Sequence, residues 1–132
     1  MIGLDTNILV RALVGDDKRQ TKAARAFLAE RCTPEEPGFI NLVVLCELIW
    51  TLKRTFQFER AQIVEVIRAL LNNAALAVEA EEQVSAALSQ FGQRSLDFPD
   101  LLIAQINKAV GCSATATFDR KAAKLEGFRL LS

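Results

Sequence analysis

The 132-residue sequence predicts an α/β fold: a central parallel β-sheet of four to five strands sandwiched by helices. Three observations lead there. Short apolar runs alternate with longer stretches of helical periodicity, the pattern of parallel strands joined by crossover helices. The breaks between them carry helix punctuation, with Asp16-Asp17, Asn41 and Asp97 where N-caps belong and Gly111 where a helix stops. No repeat, low-complexity tract or linker interrupts the alternation, so residues 1–132 are expected to form one domain.

Taken in order, Met1-Ile2-Gly3-Leu4 is an apolar run that ends in Asp5-Thr6-Asn7, a buried strand handing over to a helix that Asp5 or Thr6 can cap. Asp16-Asp17 opens a second helix through about Arg31, with Ala23, Ala24, Phe27 and Leu28 on its apolar face. Thr33 to Gly38 is a loop rich in Pro and Glu, and Phe39-Ile40 a brief second strand. Asn41 then caps a very apolar helix from Leu42 to about Thr55, and Glu59 to Leu71 places Ile63, Val66, Ile67, Leu70 and Leu71 at helical spacing. Ala75 to Val78 reads as the third strand and Glu81 to Phe91 as the next helix. Asp97-Phe98-Pro99-Asp100 opens a helix to about Val110, helped by a proline in its first turn. Ala114 to Phe118 is the fourth strand, Asp119 to Leu125 a short helix, and Phe128 to Leu131 a further edge strand.

Composition narrows the chemistry. The chain has no histidine. A Ser-His-Asp or Cys-His nucleophile, an HExxH zinc site and paired-histidine hydrolysis are therefore impossible within it. Sixteen basic and sixteen acidic residues cancel, which argues against a broadly basic duplex-DNA binder while allowing a local basic groove. Cys32, Cys46 and Cys112 form no C-x-x-C pair and are expected to be buried structural thiols in a reducing cytosol. No secretory signal opens the chain, and the longest apolar region, Phe39 to Leu52, contains Asn41 and Glu47 and is too short to span a bilayer. A soluble cytoplasmic protein is expected.

In an open parallel sheet, ligands bind beyond the carboxyl ends of the strands. Asp5 ends the first strand, Asp119 follows the fourth, Glu47 lies in the helix after the second, and Asp100 opens a later helix. Glu47 is the sole charge from Leu42 to Trp50 and shares a face with Val43 and Val44, off any obviously wet stripe; it also reads as an exposed Glu at the helix edge, supported by Thr51 and Arg54 one and two turns on. Asp97 with Asp100, and Asp119, also read as helix caps. Were all four acids to converge, two carboxylates ~5 Å apart would repel by about 3 kcal/mol at an effective dielectric near 20, so a cation would be needed. Magnesium, or manganese, suits an oxygen-only donor set and can activate water for phosphodiester hydrolysis without histidine.

Asp5-Thr6-Asn7-Ile8-Leu9-Val10-Arg11 followed by Gly15-Asp16-Asp17 resembles the opening of PIN-domain ribonucleases of the VapC toxin type. Val44-Leu45-Cys46-Glu47, Asp97-Phe98-Pro99-Asp100-Leu101-Leu102-Ile103-Ala104 and Thr117-Phe118-Asp119-Arg120 resemble the later acidic motifs of that family, and the likeness spans nearly the whole chain. The resemblance implies a divalent-metal endoribonuclease, the toxin of a type II toxin–antitoxin pair. It further implies a homodimer whose acidic site a cognate antitoxin blocks. Carried over by position, Asp5, Glu47, Asp100 and Asp119 would be the catalytic, metal-binding residues, with Thr6, Asn7 and Thr117 in support. Arg11 and Arg120, each beside an acidic motif, are candidate RNA contacts, with Lys53, Arg54 and Lys121 as further cations. Lys18, Lys22 and Arg25 share one helix face and read as a solvated stripe. Trp50, Phe56 and Phe58 fit either the core or a groove for an apolar antitoxin segment.

Two other readings stay open. A receiver-like phosphoacceptor domain has a similar length and a carboxylate–magnesium pocket, but usually shows paired acids after the first strand and a lysine after the last. A catalytically silent PIN-like module would bind protein or RNA without cutting. The six glycines form neither a P-loop nor a dinucleotide motif. Leaving out the four proposed ligands, 16 basic residues face 12 acids, a mildly basic body around an acidic pocket.

Overall fold

A computed structural model describes residues 1–92 and 95–132. The predicted alternation is present, with strands β1 (Ile2–Gly3), β2 (Gly38–Ile40), β3 (Leu76–Val78), β4 (Thr115–Thr117) and β5 (Phe128–Leu130). The helices are α1 (Thr6–Val14), α2 (Lys18–Arg31), α3 (Leu42–Arg54), α4 (Arg60–Asn72), α5 (Glu81–Phe91) and α6 (Phe98–Ala109). All strand pairing is parallel, as the α/β class requires. The chain divides into two compact units, Met1–Glu79 and Ala80–Ser132.

In the first unit the strand order is β1-β2-β3, with Ile2 opposite Gly38 and Ile40 opposite Val78. The central strand runs close beneath its neighbours. A Cβ on Gly38 would lie 2.7 Å from Cys32 Sγ and 2.8 Å from Leu4 Cδ1, so any side chain there forces one of them to shift. Helix ends form where the sequence supplies caps. The Asp17 carboxylate accepts from Gln20 N at 3.0 Å, and Asn41 Oδ1 accepts from Val44 N at 2.8 Å. Glu79, just past β3, accepts from Leu42 N at 2.8 Å and so fixes the start of α3 to the sheet. α1 ends in a left-handed turn at Gly15 (φ 72°). Its last carbonyls are taken up by α2: Thr21 Oγ1 donates to Arg11 O at 3.0 Å and Arg25 Nε to Ala12 O at 3.0 Å. Because Thr21 and Ala24 form the buried line of α2, the expected apolar face turns outward in part, with Ala23 exposed and Phe27 and Leu28 half-buried. The core is aliphatic, built on Leu9, Ile40, Leu45, Leu48, Leu52, Ile63 and Ile67.

In the second unit β4 pairs with β5, Thr115 opposite Phe128 and Thr117 opposite Leu130. α5 and α6 pack through Phe91 and Phe98, whose rings meet edge to face at 5.7 Å and 87°. Val84, Ala87, Leu101, Leu102 and Leu125 complete that core. The short helix expected over Asp119–Leu125 is a single 3-10 turn at Ala122–Lys124. One expectation about the cysteines is corrected. Cys32 is buried and Cys46 half-buried, but Cys112, in the turn after α6, is exposed. Among the described residues no helix is long and apolar enough to cross a membrane.

Candidate functional site

The parallel pairing of β1 with β2 sets the acids of the first unit at one end of its sheet. Asp5 lies two residues past the end of β1 and is the N-cap of α1, its Oδ1 accepting from Thr6 N at 2.7 Å. Glu47 stands in the second turn of α3, which begins straight after β2. Thr6 Oγ1 donates to Glu47 Oε1, joining the two motifs across 41 residues of sequence. Thr6 is only 7% exposed, so its hydroxyl has a fixed position from which to orient that carboxylate. Asp5, Thr6, Asn7, Arg11, Glu47 and Phe56 share a cleft of about 470 Å³. Arg11 enters it with one arm held by Asp16 at 3.0 Å, while its Nε is buried with no hydrogen-bond partner.

Of the two settings the sequence allowed for Glu47, the structure shows the exposed one. Val44 is buried, but Val43 is 76% exposed and Glu47 itself is exposed, because the face it shares with Val43 and Trp50 turns away from the sheet. Its carboxylate is therefore wet and tethered rather than buried. Trp50, 59% exposed, lies under the Arg54 guanidinium at 5.7 Å, and Phe56 and Phe58 are half-buried. None of these three aromatics belongs to the fully buried core.

In the second unit Asp97 is the N-cap residue of α6 and Pro99 lies in the first turn, which puts Asp100 at the helix's third position. The side chain of Asp97 makes no capping hydrogen bond, so the capping-box reading does not hold there. Asp100 is half-buried, and its carboxyl titrates above the usual aspartate range: burial is the first cause, followed by the charges of Asp97 and of Asp119. Like charges thus meet around Asp100. Asp119 Oδ1 accepts from Lys121 N at 2.9 Å and, more weakly, from Ala122 N at 3.4 Å. Thr117 Oγ1 accepts from Asp119 N at 2.9 Å, so Thr117 shapes the turn that carries Asp119. Arg120 is exposed beside it.

Each unit therefore brings together part of the predicted set. Asp5, Thr6, Asn7 and Glu47 share one cleft, while Asp100 and Asp119, with Thr117, cluster in the other unit. Among the described residues no three Asp, Glu, Cys or His side chains gather closely enough to hold a metal ion. The donor chemistry nevertheless suits a hard divalent cation, since it is all oxygen and the repulsion around Asp100 is relieved by positive charge. Asp97 read as a cap within the third motif, and Thr51, whose hydroxyl donates to Glu47 O at 2.8 Å, as a mark of an exposed Glu47.

The profile of the PIN domain family matches residues 2–127 of this chain. The chain belongs to the PIN domain family. A relative from Aquifex aeolicus (strain VF5), a VapC ribonuclease, is 28% identical over 129 residues, covering 98% of this chain and 94% of its own. The four acidic motifs of this PIN family member thus lie inside a match that runs from β1 to the turn before β5.

Proposed function

We propose that this chain is the toxin of a type II toxin–antitoxin pair, an endoribonuclease that hydrolyses RNA phosphodiester bonds with magnesium, or manganese, as cofactor. The joining of the first two acidic motifs in one cleft, where Thr6 donates to Glu47 beside Asp5, carries the reading, and the like charges near half-buried Asp100 add to it. The PIN domain match and the VapC ribonuclease relative support it. In this proposal residues 1–132 act as one functional domain, with Asp5 and Glu47 of the first unit and Asp100 and Asp119 of the second as the catalytic, metal-binding acids.

When bound, the cation supplies an acidified water and steadies the negative charge that builds on phosphorus. The chain's own residues do the rest. Thr6 tethers Glu47 through the hydroxyl it donates to Oε1, and Asp5 is held in place by the backbone N–H it accepts from. Asp119 has one oxygen occupied by backbone donors, leaving the other for the metal. Arg11 in the first unit and Arg120 in the second are the proposed guanidinium contacts to RNA phosphates. A homodimer and inhibition by a cognate antitoxin complete the reading, on the family resemblance.

The test is incubation of purified protein with a mixed RNA pool, with and without magnesium, and mapping of the cut ends. Asp5→Asn and Asp100→Asn should abolish cleavage while the circular dichroism spectrum is kept. Wild-type cleavage by either variant, or cleavage unaffected by chelator, would overturn the assignment.

A further inference from the structure

The helix stripe of Lys18, Lys22 and Arg25 does more than face solvent. These three cations line a cleft of about 600 Å³ whose other walls are Val14, Gly15 and Thr21. No acid lines it. Asp16 is tied to Arg11 and Asp17 to the first turn of α2, so the nearest carboxylates are turned to other partners. Among the described residues Lys18 and Lys22 form no ion pair. Arg25 is fixed over the left-handed turn at Gly15 by its Nε bond to Ala12 O, which leaves its remaining N–H donors for a ligand. In a chain of zero net charge, three cations with no acid among them are a local excess.

We propose that this cleft is a phosphate-binding exosite that grips the RNA backbone at a distance from the cut, an inference that rests on the proposed ribonuclease reading. α1 connects the two places. Asp5 and Thr6 stand at its start and Gly15 at its end, and its nine residues span about 13 Å at ~1.5 Å per residue. That separation corresponds to a few nucleotides of a single RNA strand. The exosite therefore reads substrate length rather than base identity: phosphate contacts position the strand and carry no sequence information.

The experiment follows binding of a fluorescein-labelled single-stranded RNA by anisotropy in EDTA, so that no cleavage intervenes. Wild type is compared with the Lys18→Gln/Lys22→Gln double variant across a salt series. Each phosphate contact on a single strand contributes a slope of about −0.7 in log affinity against log salt, so two lost contacts flatten it by about 1.4. The wild-type advantage then shrinks roughly sevenfold between 50 and 200 mM salt. The Lys18→Arg/Lys22→Arg variant should restore the slope. Equal slopes for wild type and the Gln variant overturn the exosite, as does failure of wild type to bind RNA or a preference for polyglutamate at matched charge. If binding behaves as expected but magnesium brings no cleavage, the exosite stands and the ribonuclease reading falls. Where cleavage is seen, the Gln variant should raise KM on long RNA and leave KM unchanged on oligonucleotides too short to reach from the cut to Gly15.

Discussion

Replacing Thr6 by valine tests the link between the first two acidic motifs with almost no change of shape. The side chain is 7% exposed and stays the same size, and the backbone N–H that Asp5 accepts is retained. What is lost is one hydrogen bond from a hydroxyl to a carboxylate. Hydrogen bonds to charged groups contribute about 1.5–3 kcal/mol. Because Glu47 is exposed and water can replace the hydroxyl, the lower end applies, about 1.5 kcal/mol. With an unfolding entropy of about 2.1 cal/mol/K per residue, a chain of 132 residues has ~0.28 kcal/mol/K, so Tm should fall by about 5 °C. If Thr6 also orients Glu47 for chemistry, kcat on RNA should drop about tenfold, the rate equivalent of ~1.4 kcal/mol. Thr6→Ser, which keeps the donor, should recover most of the rate. In a Glu47→Gln background the rate effect of Thr6→Val should shrink, since both act on one interaction. A Thr6→Val protein that melts within a degree of wild type and cuts at the wild-type rate would refute the reasoning.

Three further outcomes are expected. Magnesium at ten times its dissociation constant should stabilise wild type by about 1.4 kcal/mol, roughly 5 °C, and have little effect on Asp100→Asn, which in metal-free buffer should melt above wild type because the repulsion from Asp97 and Asp119 is gone; melts with and without metal decide this. Gly38→Ala forces a Cβ against Cys32 and Leu4 and should cost about 1–3 kcal/mol, read from urea unfolding; an unchanged midpoint would show that the sheet has room there. Burial pushes the Cys46 thiol above the ordinary thiol range, so the folded state favours the neutral thiol. That contribution to stability is fully present below pH ~8.5, the ordinary thiol value, and is lost as pH rises through the folded value. Iodoacetamide mapping at pH 8 should therefore label exposed Cys112 first and Cys46 slowly, and equal rates in the native protein would contradict the burial.

The elements were legible because their ends are written in local chemistry. Asp17 and Asn41 cap as expected, and Gly15 and Gly111 take positive φ where helices stop. The acids of the candidate site were legible from their order and from their places beside strand ends. Facing was harder to read. Glu47 follows two valines of which one is buried and one exposed, and periodicity alone cannot choose the boundary of an apolar stripe. Pairing at long range was harder still. Nothing local to Thr6 announces a partner 41 residues on, and nothing local to the Lys18 stripe announces that the turn at Gly15 makes a cleft of it.

The ladder of the first unit has a consequence for the protein while it is being made. Its outer strands are Ile2–Gly3 and Leu76–Val78, so the sheet cannot close until nearly all of that unit has left the ribosome. At ~5–20 residues per second, that is several seconds of synthesis during which Asp5 and Glu47 have no finished scaffold. Asp100 and Asp119 are translated later still. A nascent chain thus holds only half of its proposed metal-binding set for a time, with Asp5 and Glu47 made before Asp100 and Asp119.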